Sequence, residues 1–249
     1  MGRKRSGRGL GPRLGRALVR SSALVWLLDL DNTLHDASAQ IMPRINLAMT
    51  DYVSRRLGVD QAQASELRAN YWRRYGATLL GMVRHHEVDA HEFLREVHPF
   101  PDMHRIVDRD HGLRDALRRL PGRKIVLTNG PNDYARAVLG RLGIAAQLDG
   151  LLAIESMQFA GRFLPKPSRS MLLKLLARLR VPASRCVLVE DSVANLRAAR
   201  ACRVRTVLVT GMARHGGSEP AGRIAGRGRQ VGLQVQSAAS LPRIVHKLV

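Results

Sequence analysis

The stretch ALVWLLDLDNTL, residues 23–34, joins a short apolar run to two closely spaced carboxylates. The run from Ala23 to Leu28 is typical of a buried strand, because it is short, apolar and partly branched. Asp is unfavourable in strands, and a carboxylate at the end of a buried strand needs a cation or a hydrogen-bond donor as its partner. Asp29 and Asp31 are separated by one residue, which places them on the same side of an extended backbone. Two such carboxylates can share a cation or divide acid and base roles, although they could instead only cap a following helix.

The composition limits the classes of protein to which the chain can belong. Its 249 residues suffice for one large domain, or one domain with an insertion, around a substantial core. The formal net charge of +21 is typical of proteins that bind nucleic acid or anionic surfaces. However, nearly all the basic residues are Arg, they are spread over the whole chain, and aromatic residues make up only 4%. We therefore interpret the charge as a compositional bias, with a basic nucleic-acid-binding protein as the less favoured alternative.

Other features concern the environment of the protein. Residues 1–22 contain Arg, Gly and Ser but no acidic residue, which predicts a disordered basic tail; an organelle transit peptide is a weaker alternative. No apolar run approaches the roughly 20 residues that span a bilayer, so we expect no membrane association. Cys186 and Cys202 lie in apolar runs and are interpreted as core residues without a disulfide or metal role. These features together predict a soluble, cytoplasmic protein.

Residues 40–110 are predicted to be helical throughout. Apolar residues recur at helical spacing between Ile41 and Leu57, and further helical stretches are predicted over Gln61–Val83 and His91–Val97. No strand pattern interrupts them. We therefore predict an all-helical cap over residues 37–111, inserted after the first strand.

From Leu113 onward, short branched strands alternate with helices. The predicted elements are helix Leu113–Leu120, strand Ile125–Thr128, helix Asp133–Leu142, an apolar run near Leu151–Ile154, helix Ser170–Leu179, strand Val187–Val189, helix Ala194–Ala201, strand Thr206–Val209, an edge strand at Leu233–Val235 and a closing helix at Leu241–Val249. This alternation predicts an α/β fold in which residues 23–36 and 112–249 form a Rossmann-like parallel sheet with helices on both faces. Residues 211–230 are rich in Gly and Arg and are predicted to form a loop.

Polar residues follow three of the predicted strands. These groups are Asp29-Leu30-Asp31, Thr128-Asn129-Gly130 and Glu190-Asp191-Ser192. Ligands bind outside the carboxyl ends of the strands in an open parallel sheet, so we expect the three groups to meet at one edge. Lys166, between Pro165 and Pro167 and just before a predicted helix, is a candidate to bring a cation to the same edge.

In order and spacing these segments resemble the four motifs of the haloacid dehalogenase-like superfamily, specifically its phosphatases. The matching residues are, in motif order, Asp29-x-Asp31-x-Thr33, Thr128, Lys166 and Glu190-Asp191. The resemblance covers residues 24–210. The helical insertion is similar to the cap that many members carry at that place.

The resemblance implies a phosphomonoester hydrolase in which Asp29 attacks phosphorus and forms an aspartyl-phosphate, while Asp31 protonates the leaving group and later activates water. It implies a Mg²⁺ ion held by Asp29, the main-chain carbonyl of Asp31, and Asp191. Lys166 would add positive charge to the nucleophile and the phosphate. The remaining implied roles are phosphate binding by Thr128 and Asn129, and support of the metal ligands by Glu190, Ser192 and Asn195. For Ser192, capping of the next helix is an equal alternative.

A closer resemblance is to the pyrimidine 5′-nucleotidase branch of that superfamily. It is carried by the segment from Tyr71 to Gly76, by His85-His86-x-Val88-Asp89, by Thr128-Asn129-Gly130 and by Leu142-Gly143-Ile144. This resemblance implies a pyrimidine nucleoside 5′-monophosphate as the substrate, with Arg74, Tyr75 and His86 as candidates to contact the base or ribose. Sugar-phosphate or phosphoglycolate phosphatases and phosphosugar mutases share the same core and remain alternatives. The histidines near the cap have no recognised zinc-binding spacing and are interpreted as surface or core residues.

Overall fold

The computed structural model of the protein describes residues 24–212 and 232–248. Its strands are β1 (Val25–Leu28), β2 (Arg123–Leu127), β3 (Gly150–Leu152), β4 (Gln158–Phe159), β5 (Arg162–Phe163), β6 (Cys186–Glu190), β7 (Arg205–Val209) and β8 (Leu233–Val235). Its α-helices are α1 (Ile41–Leu57), α2 (Gln61–Tyr75), α3 (Thr78–His86), α4 (Ala90–Val97), α5 (Met103–Ile106), α6 (His111–Arg119), α7 (Asn132–Leu142), α8 (Arg169–Leu179) and α9 (Val193–Ala201). The predicted basic tail and most of the predicted Gly/Arg-rich loop lie outside the described residues.

Six strands form one sheet in the order β3-β2-β1-β6-β7-β8. Every neighbouring pair is parallel, which confirms the predicted α/β fold and places β8 at the edge. β1 lies between β2 and β6, and Leu28 is level with Val126 on one side and Val189 on the other. The residues that follow these three central strands therefore begin side by side, as a site at their carboxyl ends requires.

Successive side chains of β1 point to opposite faces of the sheet. Trp26 and Leu28 belong to the hydrophobic cluster that includes α6 and α7, whereas Val25 and Leu27 belong to the cluster that includes α8 and α9. The predicted covering of both faces by helices is thus confirmed. Burial on both faces explains why this strand reads as a continuous apolar run without alternation.

Helices α1 to α4 surround a third hydrophobic cluster, separate from the two that cover the sheet. The rings of Tyr52 and Phe93 meet edge to face within it, with their centroids 5.0 Å apart. The first turns of α1 instead pack into the sheet cluster through Ile41 and Ile45. The predicted helical insertion after β1 is confirmed, and its boundaries at residues 37 and 111 stay a prediction.

Two further predictions concern the cysteines and membrane association. Cys186 and Cys202 are free and buried on the face covered by α8 and α9, as expected for core residues. Within residues 24–212 and 232–248, none of the helices combines the length and the apolar character needed to cross a membrane.

Some elements differ from the prediction. The single helix predicted over Gln61–Val83 is two helices, because Gly76 has a φ of +81° and ends α2 with a left-handed residue. The β4–β5 hairpin is absent from the prediction, since strands of two residues are too short for a periodic signal. The predicted closing α-helix is a 3₁₀ helix over Ala238–Lys247, which contains Pro242 and so lacks one main-chain donor. The other predicted ends after residue 112 agree within one or two residues.

Gly122 joins α6 to β2 in a turn that strongly favours glycine. Its φ is +88°, and a Cβ atom there would lie 2.2 Å from the main-chain oxygen of Leu24, next to the first residue of β1. We expect Gly122→Ala to lower the free energy of unfolding by roughly 1–3 kcal/mol, because the strained backbone and the clash fall on the central strand. Denaturation in urea measures this change.

Gly140→Ala is the matched control for that prediction. Gly140 lies at an exposed position of α7, where a Cβ atom would meet nothing within 4 Å. Alanine is favoured over glycine inside a helix by roughly 0.5–1 kcal/mol, so this substitution should stabilise the protein. Equal destabilisation by both substitutions would contradict the role assigned to the turn at Gly122.

Candidate active site

The loop after β1 carries the two predicted aspartates. Asp29 is only 5% exposed, and its Oδ2 accepts a hydrogen bond from the hydroxyl of Thr33 at 2.9 Å. Asn32 has a left-handed backbone, with a φ of +60°, and turns the chain so that Asp31 and His35 form an isolated bridge. The motif residues are therefore held by one tight loop directly after the central strand.

Asp31 is held by two residues that are absent from the predicted site. The hydroxyl of Tyr134 donates to Oδ1 of Asp31, and Nε2 of His35 lies 3.0 Å from the same oxygen. His35 lies only four residues after Asp31, so the sequence could have indicated it as a partner of that carboxylate. Tyr134 lies 103 residues from Asp31 and carried no signal, because the sequence does not show which face of α7 meets the loop.

Lys166 reaches the site from the segment between β5 and α8. Its side chain is buried, and Nζ donates to Oδ1 of Asp29 at 2.5 Å and to Oε2 of Glu190 at 2.8 Å. A buried ammonium is stable only when it is paired, and here it is paired with two carboxylates. The ammonium of Lys166, which the sequence predicts as a positive charge at this edge, therefore lies at the ends of β1 and β6.

Thr128 and Asn129 follow β2 on the other side of β1. The Thr128 hydroxyl accepts a hydrogen bond from the main-chain N–H of Gly130 at 3.0 Å, which orients it. The side chain of Asn129 forms reciprocal hydrogen bonds with the main chain of Lys166, donating from Nδ2 at 3.0 Å and accepting at Oδ1 at 2.9 Å. Because that side chain is used to hold the main chain of Lys166, the predicted hydrogen bond from Asn129 to a phosphate would come from its main-chain N–H.

Three carboxylates meet at the ends of β1 and β6. One oxygen from each of Asp29, Glu190 and Asp191 lies within 4.8 Å of the other two, and these three carboxylates are called the acidic group below. The carboxylate of Asp31 is not part of this group, and the prediction assigned only its main-chain carbonyl to a metal. The acidic groups that the sequence suggested as metal ligands or their support are therefore close together.

The two other predicted support residues are less directly involved. The main-chain N–H of Ser192 donates to Oε1 of Glu190 at 3.3 Å, whereas its side chain forms no capping hydrogen bond with α9. Asn195 lies in the first turn of α9, and its side chain forms no hydrogen bond with a described residue. Of these two residues, only Ser192 forms a hydrogen bond with Glu190 in the part of the chain that the structure describes.

The residues predicted to contact the base or ribose, Arg74, Tyr75 and His86, form a cluster of aromatic and basic side chains. Tyr71 and His85 also belong to this cluster. The hydroxyl of Tyr75 lies 2.6 Å from Nε2 of His85, and the hydroxyl of Tyr71 lies 2.6 Å from Nε2 of His86. The guanidinium carbon of Arg74 lies 5.4 Å from the centroid of the Tyr75 ring, within cation–π distance. The three predicted residues thus belong to one aromatic and basic cluster.

Gly76 shows where this cluster lies relative to the acidic group. A Cβ atom on Gly76 would be 3.3 Å from Cδ of Pro167 and 3.5 Å from the main-chain oxygen of Lys166. The end of α2 therefore lies against the segment that carries the buried lysine. Arg74 and Tyr75 come directly before Gly76 in the chain, so their helix ends next to that segment.

Comparison with known families decides to which group the chain belongs. A family model described as haloacid dehalogenase-like hydrolase matches residues 25–203. The chain belongs to the haloacid dehalogenase-like hydrolases. The match runs from β1 to the residues just after α9 and includes every strand-end residue described above.

Individual relatives of this hydrolase are more distant. Phosphate metabolism protein 8 of Saccharomyces cerevisiae is 25% identical over 138 residues, which are 51% of this chain and 42% of that protein. The chain thus spans less than half the length of this curated relative.

Solved structures with the same fold are also distant in sequence. CbbY from Rhodobacter sphaeroides in complex with phosphate is 23% identical with a TM-score of 0.55, covering 88% of this chain and 96% of that chain. YfnB from Bacillus subtilis bound to magnesium is 13% identical with a TM-score of 0.53, covering 90% and 99%. The 2-haloacid dehalogenase from Pseudomonas syringae is 20% identical with a TM-score of 0.53, covering 91% and 99%. At these identities the similarity shows the fold alone.

The acidic group of this hydrolase carries more negative than positive charge. Burial, followed by the charge of Glu190, raises the pKa of Asp29 to about 7 even though Lys166 opposes the shift. Burial likewise raises the pKa of Glu190 to about 7 and that of Asp191 to about 6. Burial alone would lower the pKa of Lys166, but Asp29 and Glu190 raise it above its usual value. One ammonium therefore faces three carboxylates that repel one another.

Asp31 differs from this group in its electrostatics. Burial alone would raise its pKa, but hydrogen bonds with His35 and Tyr134 hold the pKa below its usual value. The two aspartates of the motif are thus shifted in opposite directions. The two carboxylates therefore lie in different electrostatic environments, although one residue separates them in the chain.

A divalent cation fits the donor set formed by Asp29, Glu190 and Asp191. Carboxylate oxygens are ligands that Mg²⁺ prefers, and three of them close together leave an excess of negative charge beside Lys166. A bound cation would offset that excess and reverse the upward pKa shifts. These residues could therefore hold the Mg²⁺ ion that the sequence predicts.

The pKa shifts predict a dependence of stability on pH and Mg²⁺. In the metal-free protein, the pKa values of Asp29 and Glu190 are raised from 3.8 and 4.5 to about 7. The folded state then binds more protons than the unfolded chain between those values. We expect the free energy of unfolding to fall as the pH rises from about 4 to about 7, and to level off above. Mg²⁺ should therefore raise the melting temperature more near pH 8 than near pH 5, as measured by thermal unfolding with EDTA or with Mg²⁺.

Asp191→Asn is the matched variant for this measurement. It removes one carboxylate of the group but leaves both ion pairs of Lys166 in place. The rise in melting temperature caused by Mg²⁺ should shrink in this variant. A rise of the same size near both pH values in the unsubstituted protein would contradict the assigned charge balance.

Proposed function

We propose that the protein is a Mg²⁺-dependent phosphomonoester hydrolase that acts through an aspartyl-phosphate, with a pyrimidine nucleoside 5′-monophosphate as its substrate. The observation that best supports this phosphoryl-transfer chemistry is the buried Asp29, which accepts a hydrogen bond from Lys166 and lies close to two further carboxylates. A phosphate dianion would be repelled by these carboxylates alone, because unit charges at 4 Å repel by about 4 kcal/mol at an effective dielectric of 20. An ammonium and a divalent cation together make its approach favourable.

In the proposed reaction Asp29 is the nucleophile and Asp31 is the acid and base. Asp29 attacks phosphorus while Asp31 gives a proton to the leaving oxygen; Asp31 then takes a proton from the water that hydrolyses the aspartyl-phosphate. Lys166 stabilises the charge on Asp29 and on the phosphate oxygens. Thr128 and the main-chain amide of Asn129 bind the phosphoryl group.

The ligands of the metal are part of the proposal. We assign them to Asp29, the main-chain carbonyl of Asp31 and Asp191, with Glu190 as a neighbouring support that Ser192 orients. When bound, Mg²⁺ supplies positive charge at the phosphate and orients it toward the nucleophile.

The second aspartate favours phosphoryl transfer over dehalogenation, although structures of both kinds share the fold. A halide leaves as a stable anion and needs no proton, whereas the alkoxide of a phosphate ester must be protonated as it leaves. The partly buried carboxyl group of Asp31, two residues after the nucleophile and oriented by two hydrogen bonds, is the group that we assign to this proton transfer.

The choice of a nucleotide rests on the resemblance to pyrimidine 5′-nucleotidases and on the aromatic and basic cluster near the end of α2, the helix end that contacts the segment of Lys166. Tyr75 and Arg74 offer a ring and a guanidinium plane, which are suited to stack on a base or pair with ribose oxygens. His86 is bonded to Tyr71, so it would act together with that residue. We also propose that residues 37–111 form a cap over the site and that the enzyme is cytoplasmic.

A substrate screen tests the proposal. The purified full chain with Mg²⁺ should hydrolyse UMP, CMP and dTMP with kcat/KM at least about tenfold above the values for sugar phosphates and phosphoglycolate, a difference of about 1.4 kcal/mol. Turnover of sugar phosphates or phosphoglycolate alone would support the phosphatase activity but exclude a nucleotide as the substrate. No turnover of any phosphomonoester would remove both.

Asp29→Asn tests the covalent step in the same assay. The amide matches the carboxylate in shape but is no nucleophile, so turnover should fall at least about a thousandfold. Lys166 keeps Glu190 as a partner, so the fold should persist in thermal unfolding. Asp102→Asn is the control, because Asp102 is paired with Arg44 in an exposed ion pair and should leave activity unchanged.

Arg74→Ala tests the proposed contact with the base. We expect KM for the preferred nucleotide to rise about two- to fivefold, the size of an exposed cation–π contact, with kcat/KM for p-nitrophenyl phosphate unchanged. Arg55→Ala is the matched control, since Arg55 is an exposed arginine of α1 paired with Glu96. An equal rise of KM for both substrates in Arg74→Ala would exclude a contact with the base.

A further inference from the structure

Both hydrogen bonds that hold the carboxylate of Asp31 fall on the same oxygen. The hydroxyl of Tyr134 donates to Oδ1, and Nε2 of His35 lies 3.0 Å from that atom. The second oxygen, Oδ2, receives neither bond. The two oxygens of this carboxylate are therefore not equivalent.

The chemistry of the partners decides where a proton on Asp31 would be. A carboxylate oxygen accepts hydrogen bonds, so the Tyr134 hydroxyl donates and His35 carries its hydrogen on Nε2. The Nδ1 atom of His35 is buried without a hydrogen-bond partner among the described residues, so the bond from Nε2 to Asp31 orients the ring. With two donors directed at Oδ1, a proton carried by Asp31 resides on Oδ2.

Packing holds both donors in place. His35 is 5% exposed and Tyr134 is 4% exposed. The ring of Tyr134 packs against the rings of His98 and Phe100, each with its centroid 5.5 Å away, in the segment that follows α4. Tyr134 also belongs to α7, a helix anchored in the sheet cluster. A donor placed by a helix and packed rings, as Tyr134 is, fixes a catalytic group better than a donor on a mobile loop, and His35 is held by its burial and by the bridge to Asp31.

We infer that Tyr134 and His35 are positioning residues for the acid–base step: they bind Oδ1 of Asp31 and so direct Oδ2 toward the leaving oxygen of the substrate. The inference rests on the proposed function, which gives Asp31 its acid and base roles.

An oxygen of Asp29 forms a bond to phosphorus, the ester P–O bond breaks, and the leaving oxygen takes the proton from Oδ2 of Asp31. Asp31 is left as an anion that the two donors on Oδ1 stabilise. When water then attacks phosphorus and the bond to Asp29 breaks, Oδ2 accepts the proton of the water.

This role predicts an effect that depends on the leaving group. A basic leaving oxygen needs the proton as the P–O bond breaks, whereas p-nitrophenolate is a weak base and leaves without it. A donor that only maintains the fold would affect both kinds of substrate equally. The ratio kcat/KM reports the reaction up to the first irreversible step and so excludes the later attack of water.

The test compares phenyl phosphate with p-nitrophenyl phosphate, two esters of similar size, using the full chain with Mg²⁺. Tyr134→Phe should lower kcat/KM for phenyl phosphate about 10- to 100-fold and for p-nitrophenyl phosphate less than about threefold. His35→Leu should show the same pattern. His35→Gln keeps an N–H donor near the position of Nε2 and should lose less than His35→Leu.

Tyr52→Phe is the matched control. It removes the hydroxyl of another buried tyrosine bonded to a carboxylate, Glu92 at 3.1 Å, within the helical insertion. Both rates should stay unchanged in this variant. Thermal unfolding identifies any variant that fails to fold, and the two His35 variants still test the inference if Tyr134→Phe does not fold.

The outcomes separate the inference from the proposed function. An equal loss for both esters, or no loss for either, would overturn the positioning role and leave the phosphatase assignment intact. If the unsubstituted protein hydrolyses neither these esters nor any phosphomonoester of the substrate screen, the proposed function fails and the inference fails with it.

Discussion

The ion pairs of Lys166 are the constraint on which the rest of the site depends. Its ammonium lies between Asp29 at the end of β1 and Glu190 at the end of β6, and all three side chains are buried. Removing one charged group from water costs several kcal/mol unless a partner compensates for it. The two strands and the segment before α8 must therefore keep their register for any of these charges to be tolerated. Asn129 supports that register by bonding the lysine main chain to the end of β2.

The same constraint leaves the site with a charge imbalance. Lys166 compensates for only part of the charge of the three grouped carboxylates, and burial raises the pKa of each of them. A group of carboxylates with this excess of negative charge suits a divalent cation, and together with the ammonium that cation would suit a phosphate. Asp31, a short distance along the chain, is instead bonded to a tyrosine and a histidine. The different partners of Asp29 and Asp31 are the physical basis for giving them different roles.

The helical insertion contributes to the site through a small number of contacts. Gly76 brings the end of α2 against Lys166 and Pro167, and the rings of His98 and Phe100 pack on Tyr134. The first contact brings the end of α2 to the segment that carries Lys166. The second connects the segment after α4 to the residue that holds Asp31. The proposed acid–base group is thus held by a tyrosine that packs against the end of the insertion.

The sequence by itself determined the strand before Asp29, the alternation of strands and helices, and the convergence of Asp29, Lys166, Glu190 and Asp191. Apolar runs and helical spacing are properties of short stretches of sequence, and parallel strands bring their carboxyl ends to one edge of the sheet. These features can therefore be predicted from the sequence alone. Only the tertiary structure decided that Tyr134 and His35 hold Asp31, that the side chain of Asn129 binds the main chain of Lys166, and that a left-handed Gly76 divides one predicted helix. These features depend on which face of a helix meets a loop, on side-chain rotamers and on single backbone angles. Hydrophobic periodicity reports how an element is buried but not which atom on another element it meets.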